Sequence, residues 1–302
     1  YQDITWDKHE HLRPLDQRIT ITLEGKDVQV GVWVYDMQSG DHVVPIYFLD
    51  TDLPENEQWA RDITNHLYGG DGRMRVMQEA VLGIGGVRML RQLGYHDVDT
   101  YHMNEGHAAF LTLELLKERD YQDDAVRKSC AFTTHTPVKA GHDAFDYGLV
   151  HQVLGDMIPW HIKDLAGHDA LSMTHLAMHL SHYTCGVSQV HGVVSRAMFP
   201  GEEIDAITNG VHHVYWACPE MREIFDTYIP GWRENPFLLE QQCHSLPDDA
   251  VWDAHQTAKR RLVNYVNERT AEPFDVDHLT IASARRVVPY KRPELLYTNL
   301  VR

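Results

Sequence analysis

The most constraining feature of this sequence is a series of short apolar segments that alternate with helical patterns. Segments near residues 98–103, 129–134 and 204–208 are each followed by a stretch with helical character. Short apolar strands that alternate with helices are typical of a parallel α/β sheet, and such sheets bind ligands beyond the carboxyl ends of their strands. We therefore predict an α/β fold with site residues in the loops that follow the strands.

Residues 18–49 follow another pattern, in which three alternating apolar runs are separated by turn residues. The turns are predicted at Gly25-Lys26 and at Ser39-Gly40. This arrangement predicts an antiparallel meander. Helices are predicted over 54–67, 78–93, 146–154, 172–183, 187–198, 219–228 and 247–268, followed by a strand at 279–284 and a helix that begins at Pro293.

Composition excludes several functional classes. The 302 residues carry 27 Lys and Arg against 44 Asp and Glu, for a net charge of −17. Nucleic acids need a broad basic surface, so we expect no nucleic-acid partner. The four cysteines are widely spaced, which is typical of free thiols in a reducing compartment. No signal peptide or long apolar run is present, which predicts a soluble cytoplasmic protein with no membrane partner.

Polar side chains follow the first two strands of the predicted sheet. Asn104, Glu105 and His107 come after the first strand, and His135 lies in a Thr-Thr-His-Thr run after the second. We expect them at the carboxyl ends of those strands, where chemistry usually sits. The alternatives are an ordinary helix N-cap at Asn104 and hydroxyl groups that bond their own backbone.

A cluster of cations near residue 302 is the strongest single hint of a ligand. Arg285, Arg286, Lys291 and Arg292 fall within eight residues, between an apolar run and a helical pattern. Forked arginine contacts and a helix start both suit an anionic group such as phosphate. The alternative is a solvated basic face with no ligand.

Taken together, five stretches closely resemble the α-glucan phosphorylases, the family of the glycogen, starch and maltodextrin phosphorylases, and are nearest to its shorter bacterial and archaeal branch. The stretches are 67–71 (LYGGD) with 75–79 (RVMQE), 102–110 (HMNEGHAAF), 133–138 (TTHTPV) with 140–143 (AGHD), 207–212 (ITNGVH) with Trp216, and 284–286 (ARR) with 290–293 (YKRP). Their order and rough spacing also match.

The resemblance implies a GT-B-type fold, with two Rossmann-like domains and the active site in the cleft between them. It implies that this chain is a fragment of such an enzyme. Residues 1–277 would form most of the N-terminal glucan-binding domain, and residues 278–302 would form the first strand and helix of the C-terminal cofactor domain.

The resemblance also implies a reaction, in which orthophosphate cleaves the terminal α-1,4-glucosidic bond and releases α-glucose 1-phosphate with retention. The expected partners are an α-1,4-glucan and orthophosphate, with a homodimer as the oligomer. The expected cofactor is pyridoxal phosphate, which acts through its phosphate group. The Schiff-base lysine would lie beyond residue 302, so we expect the isolated chain to be inactive.

Site residues follow from the same resemblance, position by position. Arg286 resembles the ligand of the substrate phosphate. Arg285 and Lys291 resemble the ligands of the cofactor phosphate. The backbone carbonyl of His135 would face the reacting sugar. The remaining assignments are Glu105 and His107 as supports of the sugar side of the cleft, and Asp71 and Arg75 on the loop that controls access to it.

Two departures from the family pattern are present. The family's Gly-Gly-Leu-Gly loop is absent from these residues, and Cys185 stands where the family usually has Asn. A small buried residue is the ordinary interpretation of Cys185.

Three other functions remain open from the sequence. One is a glucan-binding module without catalysis, and another is a sugar-nucleotide glycosyltransferase of the same fold. The third is a zinc enzyme, because His175, His179 and His182 have the spacing of one helix face. That stripe lacks an acidic residue at metalloprotease spacing, so we expect no metal.

Overall fold

The computed structural model of the chain describes residues 7–66, 69–271, 273–285, 287 and 291–298. The chain divides into two compact units, Tyr1–Thr208 and Asn209–Arg302. The domain boundary expected between residues 277 and 278 stays a prediction.

The first unit begins with the antiparallel meander that the sequence predicts. Its strands are β1 (Arg13–Leu23), β2 (Lys26–Ser39) and β3 (His42–Asp50), in that spatial order. Glu24 and Gly25 join β1 to β2 with positive φ angles of 51° and 73°, as a tight two-residue hairpin turn requires. The apolar residues that alternate with polar ones in β1 and β2 face the core. Ile21 and Val28, for example, pair across the two strands, and both are inaccessible to solvent.

A parallel sheet forms the centre of the first unit. It contains β4 (Tyr101–Asn104), β5 (Cys130–Thr134), β8 (Tyr183–Gly186) and β9 (Asp205–Ala206), and the neighbouring strands all run parallel. A separate antiparallel pair joins β6 (Ala144–Phe145) to β7 (Leu171–Ser172). The predicted α/β class is therefore confirmed.

Helices connect and cover these strands. In the first unit they are α1 (Lys8–His11), α2 (Gln58–Arg61), α3 (Gly72–Ala80), α4 (Gly86–Gln92), α5 (Leu111–Glu118), α6 (Asp123–Arg127), α7 (Tyr147–Leu154), α8 (Ile162–Ala166), α9 (Met173–His179) and α10 (Gln189–Met198). In the second unit they are α11 (His213–Trp216), α12 (Pro219–Tyr228), α13 (Phe237–Gln242) and α14 (Asp248–Asn267). None of the helices in the described ranges combines the length and the apolar character that a membrane span requires.

One helical rod covers the buried face of the meander. It consists of α3, a π-helical turn at Val81–Gly85 and α4. Gly85 packs so closely on the meander that a β-carbon there would lie 2.8 Å from the Ile21 side chain. Gly83 packs on the start of α5, where a β-carbon would lie 2.5 Å from the backbone nitrogen of Leu111. The glycines of this turn thus permit close packing on both sides.

Two predicted helices are shorter than expected. Only Gln58–Arg61 and a 3₁₀ turn at Asp62–Thr64 form within 54–66. Asn56 bonds instead to β2, because its side chain accepts from the Gln29 N–H and donates to the Gln29 carbonyl, both at 2.8 Å. The helix predicted over 172–183 ends at His179, and residues 183–186 are the buried strand β8.

The second unit is mainly helical. Trp232 is 1% exposed, and its indole nitrogen donates to Asp226 at 2.8 Å. The strand predicted at 279–284 is wrong, since no strand forms in that segment of the described chain. Leu279 and Ile281 are 89% and 70% exposed, and no described segment supplies a neighbouring strand to pair with them. A 3₁₀ helix at Pro293–Tyr297 takes the place of the predicted α-helix.

Candidate active site

Glu105 occupies the turn that follows β4. Its φ and ψ angles are 71° and 165°, a backbone region that is almost restricted to glycine. One carboxylate oxygen accepts from the backbone N–H of Gly106 at 3.0 Å. Strain of this kind persists only where surrounding contacts hold the backbone in place. At Glu105 such contacts come from the loop that follows β5.

The loop after β5 is fixed to that same carboxylate. Glu105 Oε2 accepts from the His135 backbone N–H at 2.7 Å and from the Thr136 hydroxyl at 2.8 Å. The two polar strand ends therefore lie together, as expected for adjacent parallel strands. His135 itself is exposed.

Four ionisable side chains meet beside this loop, and we call them the charged cluster: Arg75, Glu79, His107 and Asp143. Arg75 Nη2 lies 2.8 Å from Glu79 Oε1 and 2.6 Å from Asp143 Oδ2. His107 Nδ1 lies 3.1 Å from Asp143 Oδ2 and 3.4 Å from Glu79 Oε1. Each basic group thus contacts both acids, and Arg75 Nη2 also lies 3.1 Å from His107 Nδ1.

Burial and neighbouring charges set the protonation of the charged cluster. Burial raises the pKa of Glu79 to about 7, and the Asp143 charge adds to this rise. Hydrogen bonds to Asp143 and Glu79 raise the pKa of His107 to about 9. Burial works against ionisation of Asp143, yet contacts with His107 and Glu79 and the charge of Arg75 hold its pKa well below the usual range. At neutral pH, Asp143 is therefore an anion and His107 a cation.

The charged cluster has the donor atoms of a metal site but not its electrostatics. Glu79, His107 and Asp143 each offer one ligand atom, and these lie within 4.8 Å of one another. Arg75 Nη2 lies 2.8, 3.1 and 2.6 Å from those three atoms. A guanidinium group already occupies the position that a metal cation would take, so the cluster is better suited to contact a polar ligand.

A cavity of about 460 Å³ adjoins the charged cluster. Its lining includes the polar side chains of Arg75, Glu79 and His107 and the apolar side chains of Leu49 and Ile63. This combination of polar and apolar lining suits a ligand that carries both hydroxyl groups and apolar ring faces.

Asp71, a further predicted site residue, and Cys185, where the sequence departs from the family pattern, are not among the residues that line this cavity. Asp71 is the N-cap of α3, and its carboxylate accepts from the Met74 backbone N–H at 3.0 Å. Cys185 is 5% exposed and lies 3.3 Å from the Thr133 hydroxyl, in agreement with a small buried residue.

The predicted phosphate ligands belong to the second unit. Arg285 is exposed and Lys291 is half-buried. Arg286 lies outside the described residues. Its assignment as a phosphate ligand, like those of Arg285 and Lys291, stays a prediction.

The histidine stripe that suggested zinc is not a helix face. His182 follows the end of α9, so only His175 and His179 share that helix. His179 bonds instead to the Leu165 carbonyl at 2.7 Å and to Glu202 at 3.0 Å. His175 Nδ1 lies 3.0 Å from the Ser172 hydroxyl, so the stripe is engaged in local contacts.

Sequence reasoning missed Glu79 and Asp143 as members of the site. Glu79 follows Arg75 by four residues, and this spacing predicts a contact on one helix face. Asp143 belongs to the 140–143 (AGHD) stretch of the family resemblance, but its contacts in the site depend on the path of the loop after β5.

A scan against models of protein families found no match. The maltodextrin phosphorylase of Thermococcus litoralis is 36% identical over 297 residues, which cover 86% of this chain and 35% of that protein. The glycogen phosphorylase of Mycobacterium tuberculosis is 34% identical over 308 residues, covering 84% of this chain and 36% of that protein.

The glycogen phosphorylase of Aquifex aeolicus is 29% identical over 334 residues, covering 93% of this chain and 46% of that protein. The chain thus spans 35–46% of the length of these relatives. Since the similarity extends over most of the chain, the chain belongs to the family of the glycogen and maltodextrin phosphorylases.

Proposed function

We propose that this chain supplies the glucan-facing part of an α-1,4-glucan phosphorylase. The reaction is attack of orthophosphate on a terminal α-1,4-glucosidic bond, with release of α-glucose 1-phosphate and retention at the sugar carbon. Besides family membership, the supporting observation is the Glu105 carboxylate, which holds the loop of His135 at the carboxyl edge of the sheet.

The proposed architecture is the GT-B type, in which residues 1–277 belong to the N-terminal domain and residues 278–302 to the C-terminal domain. The parallel order β4-β5-β8-β9 supports a Rossmann-like N-terminal domain.

Each predicted site residue has a role that its chemistry suits. Positive charge develops at the sugar carbon during the reaction, and the backbone carbonyl dipole of His135 would stabilise it. Glu105 would hold that loop in place. His107 and Arg75 would contact sugar hydroxyl groups, and Asp71 would contact the glucan at the start of α3. Arg286 would bind the substrate phosphate through forked hydrogen bonds.

Pyridoxal phosphate is the proposed cofactor, and Arg285 and Lys291 are cations of the kind that a phosphate group needs. When bound, this cofactor would supply a phosphate group that exchanges a proton at neutral pH, because its second pKa lies near 6. Arg285 and Lys291 would hold that group against the repulsion of the substrate phosphate. We further propose a cytoplasmic homodimer.

The first experiment is an assay for glucose 1-phosphate with maltodextrin and orthophosphate. We expect release by a full-length phosphorylase that contains this chain, and none by the 302 residues alone. Release by the 302 residues alone would overturn the proposed division of the site. Glucan binding by the full-length protein that ignores phosphate and yields no glucose 1-phosphate would favour a non-catalytic module.

A second experiment tests the phosphate ligand in the full-length protein. Arg286→Ala is expected to raise the phosphate concentration needed for half-saturation by at least about tenfold, while glucan affinity changes little. Arg269→Ala is a matched control, since Arg269 is exposed, follows the end of α14 and stacks on Tyr265 of that helix. Equal loss of phosphate and glucan saturation in Arg286→Ala would contradict the assigned role.

A further inference from the structure

Glu79 is the most deeply buried ionisable group of the charged cluster. It lies on α3 just before the π-helical turn at Val81–Gly85 and is only 2% exposed. A buried carboxylate is costly unless cations compensate it. The contacts that compensate its charge are therefore the first indication of its role.

The two oxygens of Glu79 have different environments. Oε1 lies 2.8 Å from Arg75 Nη2 and 3.4 Å from His107 Nδ1. Oε2 is buried and has no hydrogen-bond partner among the described residues. The contacts with Arg75 and His107 that compensate the negative charge of Glu79 are thus made through Oε1. Oε1 contacts the two basic side chains that line the 460 Å³ cavity.

The role of Glu79 follows from a comparison of its contacts and its exposure with those of Asp143. Asp143 contacts the same two nitrogens, at 2.6 Å and 3.1 Å, but its side chain is 27% exposed. Asp143 is therefore accessible to water, whereas Glu79, which is 2% exposed, contacts the two basic side chains from the buried side. Arg75 and His107 are therefore held between an outer and an inner carboxylate.

We propose that Glu79 is a positioning residue, which holds Arg75 and His107 in the orientation that presents them to a hydroxyl-rich ligand in the adjoining cavity. This inference rests on the proposed function for the identity of that ligand as an α-1,4-glucan. Glu79 acts through Arg75 and His107, because its own oxygens are covered.

Protonation supports this role. The charged groups that face Glu79 are Arg75 from the same helix, His107 from the turn after β4, and Asp143 from the loop before β6. Burial raises the pKa of Glu79 to about 7, and its contact with His107 helps to raise the pKa of the imidazole to about 9. Removal of the Glu79 charge is therefore expected to weaken protonation of His107.

The test uses the 302-residue chain and the variant Glu79→Gln, which preserves shape and removes charge. The control is Glu114→Gln, because Glu114 is also a shielded acid, with 14% side-chain exposure and two hydrogen bonds to Arg88, and lies outside the charged cluster. The readouts are the titration midpoint of His107 by NMR and the Kd of maltoheptaose by calorimetry.

We expect Glu79→Gln to lower the His107 midpoint by about one pH unit and to weaken maltoheptaose binding about fivefold to tenfold. Glu114→Gln is expected to change neither. The positioning role is overturned if Glu79→Gln leaves the His107 midpoint unchanged, or if the midpoint falls while maltoheptaose binds as in the wild type.

Two further outcomes are informative. If Glu79→Gln does not fold, Glu79→Asp takes its place, because it keeps the charge but moves it away by the length of one methylene group. The His107 midpoint and the Kd of maltoheptaose in that variant then decide whether Glu79 has the positioning role. If the wild-type chain binds no maltoheptaose, the glucan assignment fails for this chain, and the His107 midpoint alone decides whether Glu79 positions the imidazole.

Discussion

Glu105 Oε2 accepts a hydrogen bond of 2.7 Å from the backbone N–H of His135, thirty residues along the chain and one strand across the sheet. One side chain thus joins the ends of β4 and β5. The geometry of the His135 loop depends on a residue whose own backbone is strained, so stability and site geometry are coupled at this point.

Two substitutions of Glu105 separate the stabilising effect of its hydrogen bonds from the cost of its strained backbone. Glu105→Ala removes acceptors for three donors and keeps the unfavourable backbone angles, so we expect a loss of about 3 kcal/mol in the free energy of unfolding. Glu105→Gly loses the same acceptors but adopts these angles freely, so it should be about 1–2 kcal/mol more stable than Glu105→Ala. Urea denaturation measures both variants. Equal stability of the two variants would show that the backbone at residue 105 carries no strain.

Because the pKa values of His107 and Glu79 are raised in the charged cluster, we expect the free energy of unfolding to fall as the pH rises. His107 has an ordinary pKa of 6.5 that rises to about 9 in the folded chain. The stability that it contributes is therefore fully present below pH 6.5 and is lost as the pH rises through 9. Glu79, with a pKa raised from 4.5 to about 7, adds a loss of the same sign between pH 4.5 and 7.

We expect the free energy of unfolding to fall by about 2 kcal/mol between pH 6.5 and 9. Chemical denaturation at a series of pH values measures it. His107→Gln removes the imidazole and should give a shallower slope over that interval. A wild-type curve that stays flat from pH 6.5 to 9 would contradict the raised pKa of His107.

Two glycines of the helical rod offer a matched pair of substitutions. A β-carbon at Gly83 would lie 2.5 Å from the Leu111 nitrogen and 2.7 Å from the Phe110 carbonyl carbon, which are backbone atoms that cannot easily move. At Gly86 nothing lies within 4 Å. Gly83→Ala should therefore destabilise the chain by at least about 2 kcal/mol, whereas Gly86→Ala should stabilise it by about 0.5–1 kcal/mol.

Thermal unfolding of the two variants checks this difference. Both substitutions have the same effect on helix propensity, so the contrast isolates the close approach of the π-helical turn to α5. If Gly83→Ala raises the melting temperature as Gly86→Ala does, the rod and α5 are not in the close contact described above.

The sequence predicted those elements whose side-chain period matches their burial. In β1 and β2 the apolar residues alternate because one face is buried, and the turn at Gly25 needs a positive φ. The long helix α14 was predicted within one residue at each end, because its amphipathic pattern continues over 20 residues. Such elements are specified by local chemistry.

The elements that were missed depend on distant contacts. Strand β8 has only four residues and no apolar run, and it forms because β5 and β9 lie on either side of it. Asn56 replaces the expected helical start with bonds to β2, which no helix propensity predicts. In the site, motif resemblance named Glu105, His107 and Arg75, while Glu79 and Asp143 became apparent only when the fold brought two loops and a helix together.

Asp71 has two candidate roles, as the cap of α3 and as a charged contact to the glucan. The substitution Asp71→Asn separates them, because it removes the charge and keeps a side-chain oxygen that can cap the helix. As the N-cap of α3, Asp71 accepts from the Met74 N–H, and an amide oxygen can do the same. Asp71→Asn should therefore keep the wild-type stability, whereas Asp71→Ala should lose about 1 kcal/mol. If Asp71 also contacts the glucan through its charge, Asp71→Asn should weaken maltoheptaose binding severalfold at unchanged stability. Denaturation and calorimetry on both variants measure the two effects, and full maltoheptaose affinity in Asp71→Asn would restrict Asp71 to its capping role.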